Sequence, residues 1–219
     1  EQRDARTFGN VVTSVARIQG RPDISFSTGF DRVNILNAST RSLQLGAIQT
    51  ESPTGQIGQD ITISAQDTAD FIFASRVVAG NTVVTIANTS ETGAPQILLG
   101  GLINNPLGTT SISNRSGNID GIAALGTHVI TPTLTLQANE GRIGSAAARL
   151  RIDTQSLVAD AAQGLTISEM VGDLNLVHAN STLGAVDLSA ARSIVDRQSD
   201  AAAEISARAI QLRMKRLAL

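Results

Sequence analysis

Leu134-Thr135-Leu136-Gln137-Ala138-Asn139-Glu140-Gly141-Arg142-Ile143-Gly144-Ser145, continued by Leu150-Arg151-Ile152-Asp153-Thr154, holds the pattern that decides the fold of this chain. Leu134, Leu136 and Ala138 alternate with polar residues, as do Leu150 and Ile152. A period of two turns one face of a strand inward and leaves the other wet. Each run is short, and between them sits a glycine, a polar residue and an aliphatic residue: Gly141-Arg142-Ile143. Hairpin-built sandwiches use longer strands joined by Asn-Gly or Asp-Gly turns, and Asp120-Gly121 is the only such dipeptide.

The same alternation recurs in both directions. It appears at Val33-Asn34-Ile35, Leu43-Gln44-Leu45, Ile61-Thr62-Ile63 and Val83-Val84-Thr85-Ile86, then at Leu165-Thr166-Ile167, Leu174-Asn175-Leu176, Val186-Asp187-Leu188 and Ile210-Gln211-Leu212. Gly117-Asn118-Ile119, Gly172-Asp173-Leu174 and Gly55-Gln56-Ile57-Gly58 repeat the glycine cadence, and Pro53, Pro106 and Pro132 precede comparable units. The spacing is roughly 20 residues, which describes a coil. Each turn contributes two or three short strands, glycine supplies corners with φ > 0, and strands pair in parallel with their equivalents above and below. The fold class expected is all-β, a parallel β-helix (β-solenoid), over residues 33–219. At about 4.8 Å per rung it makes on the order of ten rungs and a rod of roughly 50 Å. Asn118, Asn139 and Asn180 at turns are read in two ways, as a hydrogen-bonding ladder or as residues chosen for their tolerance of left-handed geometry.

Two segments fit less well. Residues 1–32 are weakly patterned and are expected to form an irregular entry segment or cap. Residues 200–219 read as a further rung through Glu204–Leu212, with a terminal helix as the alternative, because Ala201-Ala202-Ala203-Glu204 are good helix formers.

Composition agrees with a narrow interior. The 219 residues include no Trp or Tyr and only five Phe, while 42% are hydrophobic. A wide β-sandwich core normally draws on aromatic rings; stacked identical layers do not need them. A net charge of −2 gives no sign of a nucleic-acid partner. The absence of Cys excludes disulfides and thiolate metal sites, and no apolar run approaches a membrane span. Glu1-Gln2-Arg3-Asp4 is not a signal peptide, so a mature protein or a fragment is expected.

The Leu134–Thr154 stretch resembles filamentous-haemagglutinin-type repeats. So do Gly172-Asp173-Leu174-Asn175-Leu176, Gly184-Ala185-Val186-Asp187-Leu188-Ser189-Ala190 and Ser193-Ile194-Val195-Asp196. The resemblance covers residues 107–196 best and thins before them. It implies a right-handed parallel β-helix in a large bacterial exoprotein or adhesin, located outside the cell or on its surface. The implied role is a structural or adhesive shaft, and no catalytic residue is carried over.

Parallel β-helices also carry polysaccharide lyases. Such sites need clustered carboxylates for Ca²⁺ and an Arg or Lys base. Asp153, Asp173 and Asp187 with Arg151 are the candidates; the competing reading is that polar outward residues alternate with the core in any strand. His128 and His178 are expected to be ordinary surface or turn residues. Four Asn-x-Ser/Thr sequons occur, at Asn37, Asn88, Asn114 and Asn180. The expectation is a non-enzymatic protein with no catalytic, metal or cofactor site. Its partners would be other rungs or further copies through the solenoid ends, or surface glycans and proteins, with no nucleic acid and no membrane insertion. A self-assembling filament or sheath subunit is the first alternative, and a lyase-like enzyme the second.

Overall fold

The computed structural model describes strand backbones between residues 11 and 85, and side chains for residues 86–88, 91, 94, 96–100, 102–106, 108–197 and 204–214. Strands are numbered in chain order. The first face of the coil stacks β1 (Val11–Val15), β3 (Val33–Asn37), β5 (Ile61–Ala65), β8 (Val83–Asn88) and β11 (Thr109–Asn114). It continues through the later parts of β13 (Val129–Ala138), β15 (Leu150–Ala161) and β17 (Leu174–Ser181), and ends on β20 (Ile205–Ser206). The second face stacks β2 (Ile24–Thr28), β4 (Leu43–Thr50), β6 (Phe71–Phe73), β9 (Ile97–Leu99) and β12 (Ile119–Gly121), then β14 (Arg142–Ile143), β16 (Gly164–Glu169), β18 (Ala185–Ala190) and β21 (Ala209–Met214). A short third face joins the end of β4, β7 (Val77–Val78), β10 (Ile103–Asn104) and the beginnings of β13 and β15. The beginning of β17 also carries β19 (Ile194–Asp196).

Every pairing is parallel, with each strand bonded to the strands one turn away. The chain is therefore a parallel β-helix, as the alternating runs predict. The rung length differs from the expected 20 residues. Register partners on the first face lie from 19 residues apart (Leu157 and Leu176) to 28 apart (Val33 and Ile61). Nine strands stack there, giving a rod of roughly 40 Å at about 4.8 Å per rung. Extra residues leave the coil at corners. Ile143 pairs with Leu165 and Leu150 with Ile167, so the rung containing β14 holds five more residues at that corner than the rung above it.

Inward positions stack like on like. Ile86, Ile112, Leu136, Ala159 and Ala179 form one fully buried column, and Ile97, Ile119, Ile143, Leu165 and Val186 another. Burying each large aliphatic side chain contributes roughly 1.5–3 kcal/mol. A third register column runs through the described strands by way of Phe26, Ile48, Val77, Ile103, Val129, Ile152, Glu169, Ala190 and Met214.

Buried polar side chains hold the corners. Between the third and first faces, Asn105, Thr131 and Thr154 succeed one another; Thr131 Oγ1 donates to Gly108 O (3.1 Å), and Thr154 Oγ1 to Ser156 O (3.1 Å). Pro106 and Pro132 directly follow two of these residues, where the chain bends and no ladder N–H is required. After the first face, Asn114 Nδ2 donates to Asn118 O (2.8 Å) and its Oδ1 accepts from Gly117 N (3.2 Å).

Several expectations change. Asn118, Asn139 and Asn180 do not form one ladder. Asn118 Oδ1 accepts Arg142 N–H at a corner (3.0 Å), whereas Asn180 sits within β17 opposite Asp160. The stacked asparagines are Asn88 and Asn114, each 1% exposed. Corner glycines Gly117, Gly141 and Gly172 do not adopt positive φ; among described glycines only Gly144 and Gly164 do. Gly141 is required by close approach instead, since a Cβ there would lie 2.1 Å from Gly117 O. Gly172-Asp173-Leu174 does not stack on Gly141-Arg142-Ile143: Leu174 pairs with Ile194, and Ile143 with Leu165. Gly55-Gln56-Ile57 lies outside the described residues. Within 1–32, expected to be an irregular entry segment or cap, β1 and β2 stand in parallel register with β3 and β4. Of 200–219, residues 205–206 and 209–214 form a rung, in keeping with the reading preferred over a helix.

Candidate functional site

The carboxylates singled out from the sequence do not converge. Asp153 lies in β15 opposite Ile130, and Asp187 lies in β18 opposite Thr166, on another face. Asp173 sits at a corner, where its Oδ1 accepts Ser193 N–H (2.9 Å). Arg151 is used elsewhere: its Nη1 donates to Ala123 O (2.9 Å) and to Leu125 O, holding the loop between β12 and β13. No group of three or more His, Asp or Glu suited to a metal ion occurs among the described residues.

The histidines also separate. His178 lies on the outer side of β17, half-exposed, with Nε2 3.1 Å from Asp160 Oδ1. His128 is not a surface residue; it is completely buried. Its Nδ1 accepts Arg151 N–H (2.9 Å), so the proton resides on Nε2, which donates to Ile122 O (2.9 Å). Burial holds its pKa below 6.5, despite the hydrogen bond to Ile122, and keeps the ring neutral. The ring occupies the space left by Gly121, where a Cβ would stand 2.3 Å from Nε2. Alternation places residue 128 on the wet side of the chain, so the missing side chain at Gly121 was the only sequence signal for its burial.

Two charged residues that the sequence reading passed over are more closely engaged. Arg149, at the end of the five-residue excursion, lies along the second face. Its Nε donates to Ser168 Oγ (2.7 Å), its Nη1 to Asp187 Oδ2 (2.6 Å), and its Nη2 to Asp187 Oδ1 (3.1 Å) and Ile167 O (3.0 Å). Ser168 Oγ is 2.7 Å from Ser189 Oγ, and Arg213 of the last rung approaches Asp187 Oδ2 at 3.6 Å. One guanidinium thus ties its own rung to the next two, in the two-pronged geometry that favours Arg over Lys.

Glu169 occupies a core column above Ile152 and is 3% exposed. The chain turns away after it, so Thr154 N–H has no further strand carbonyl to meet; Glu169 Oε2 accepts it instead (2.9 Å). Oε1 accepts from Val171 N (3.1 Å) and Gly172 N (3.4 Å). Burial raises the Glu169 pKa above its ordinary 4.5, opposed by these three backbone donors and assisted by the nearby charge of Asp153. A signal was present, since Leu165, Ile167 and Glu169 share parity.

Asn88 and Asn114 have buried side chains, which removes two of the sequons as sites of attachment on the folded rod. Asn180 is partly exposed, and the side chain of Asn37 lies outside the described residues. The most exposed aliphatic positions at core register are Ile210 (52%), Leu212 (47%) and Met214 (62%) in β21.

No protein-family model, no curated protein and no solved structure matches the chain.

Proposed function

We propose that this chain is the structural or adhesive shaft of a bacterial surface or secreted protein. One observation carries the reading: the polar side chains of the outer faces bind the rungs to one another along the rod instead of converging on a reactive centre. Arg149 spans three rungs, Arg142 joins Asp120 one rung below (2.8 Å), and His178 meets Asp160 of the rung before it. Such bonding suits a load-bearing rod, in which the backbone ladder joins adjacent rungs and side chains tie together rungs further apart. The bacterial surface location rests on the resemblance of residues 107–196 to filamentous-haemagglutinin-type repeats, because a fold alone does not assign a role.

The test sets display against degradation. Displayed on a non-adherent cell, the folded chain is expected to increase attachment to glycan- or protein-coated surfaces. It is expected to release no unsaturated sugars from acidic polysaccharides, with or without Ca²⁺. Release that disappears in Asp173→Asn or Arg151→Ala would establish the lyase reading and overturn this one.

A further inference from the structure

We propose that the loop of residues 122–127 between β12 and β13 is an acid-released lid, latched at neutral pH by the His128 ring and freed when that ring takes a second proton. The inference goes beyond the shaft reading and does not depend on it.

The latch uses both ring nitrogens. Nε2 donates to Ile122 O, the carbonyl that also accepts Leu125 N–H within the loop (3.2 Å). Nδ1 accepts Arg151 N–H from the next rung. A ring held in this way needs one nitrogen with a proton and one without. A second proton on Nδ1 points a donor at a donor and leaves Arg151 N–H without an acceptor. It also creates a cation on a residue with no exposure.

The charged groups around the ring offer no compensation. β15 brings Arg151, whose guanidinium binds Ala123 O and Leu125 O in the loop and disfavours a second cation beside it. Asp153, further along β15, stands opposite Ile130. β12 brings Asp120, whose Oδ2 is already held by Gln96 (2.7 Å) and Arg142 (2.8 Å). β9, β10, β13 and the loop itself carry no titratable side chain.

Only the ring and the loop need move. His128 N–H donates to Arg151 O and His128 O accepts Ile103 N–H, both at 2.8 Å, so the backbone of His128 stays in the ladder. Alternation puts this side chain on the outer side of the rod, yet it is fully buried, so the loop and the Arg151 side chain crossing it separate the ring from water. At the loop tip, nothing lies within 4 Å of where a Cβ on Gly126 would stand.

Amide exchange of the purified chain, expressed as protection at each pH, tests the lid. Between pH 6.5 and the lower folded value of His128, protection of Leu125 and Arg151 N–H is expected to fall by up to about tenfold per pH unit, because each opening takes up one proton. The amides of β18 should keep their protection. Glu169 cannot produce this slope, since acid favours its folded form. His128→Gln places an amide that does not titrate at the latch; whatever its level of protection, the slope should vanish. His178→Gln should leave the slope intact. Should His128→Gln fail to fold, the ring nitrogen chemical shifts of the unaltered chain supply a second measurement. They should show a ring protonated on Nε2 alone at neutral pH, becoming charged where Leu125 protection is lost. Leu125 protection that does not change with pH overturns the proposal, as does a slope that persists in folded His128→Gln. A charged His128 ring in a chain whose loop keeps its protection overturns it too. Equal loss in β18 at the same pH has the same force, since the rod and not the lid would then be opening.

Discussion

Removing the Arg149 side chain tests whether side-chain bonds along the rod contribute to its stability. Arg149 and Asp187 are only about one-fifth exposed, at 21% and 19%. Arg149→Ala removes both prongs of that pair and leaves Asp187 with Arg213 at 3.6 Å as its remaining cation. Breaking a buried pair costs about 3–5 kcal/mol, and an exposed one about 0–1 kcal/mol. The partial exposure places Arg149→Ala at about 2–3 kcal/mol. For a chain of this size that lowers Tm by on the order of 5–10 °C. The internal control is Arg115, whose ion pair with Glu91 is more than half exposed on both sides (52% and 67%); Arg115→Ala should cost below about 0.5 kcal/mol. Urea titration followed by circular dichroism gives the difference, and hydrogen exchange gives its place. Protection should fall first in β16, β18 and β21, because Arg149 binds the first two and Asp187 links them to Arg213 in the third. Equal effects of the two substitutions, or a loss of protection starting near β11, would refute the argument.

The pH dependence should have two opposing parts. His128 has a folded pKa below 6.5, so its contribution is complete above pH 6.5 and is lost as pH falls through the folded value. Glu169 has a folded pKa above 4.5, so its contribution is complete below pH 4.5 and is lost as pH rises through the folded value. Between those limits the slopes partly cancel; denaturant titrations of His128→Gln should unmask the falling limb of Glu169. Glu169→Ala leaves the buried Thr154 N–H without an acceptor and is expected to cost about 1–3 kcal/mol in urea titrations. Gly141→Ala should destabilise by more than about 2 kcal/mol, because its Cβ meets a backbone oxygen that cannot move alone. Gly126→Ala, with nothing within 4 Å, should be neutral or stabilising by up to about 1 kcal/mol in the same thermal melts.

Strands were legible in the sequence because period-two alternation is a property of single residues. Leu134, Leu136 and Ala138 face inward wherever their rung happens to stack. Stacking order was less legible, because it depends on how much chain leaves each corner. Gly172-Asp173-Leu174 resembles Gly141-Arg142-Ile143 yet occupies another corner, whereas the position of Gly141 is followed by Gln163 and then Gly184. Parity alone would have placed Glu169 and Asn114 inside. Asp153, Asp173 and Asp187 carry the more visible outward carboxylates in the sequence, but they lie on different faces and corners of the rod. Arg149 carried no such signal. Its role arises from the path of the excursion, and the surrounding Ala146-Ala147-Ala148 says nothing about that path.

The same excursion has a consequence for how such a chain can change. Ile143 and Leu150 remain on their columns although the chain between them is five residues longer than in the next rung. Length at this corner is therefore uncoupled from the ladder, and closing a somewhat longer loop adds little entropic cost. New sequence can enter between Ser145 and Ala148 without shifting a core residue, provided that Arg149 still reaches Asp187. The corner is a natural graft point: a place where a rod built on repetition can acquire a feature that does not repeat.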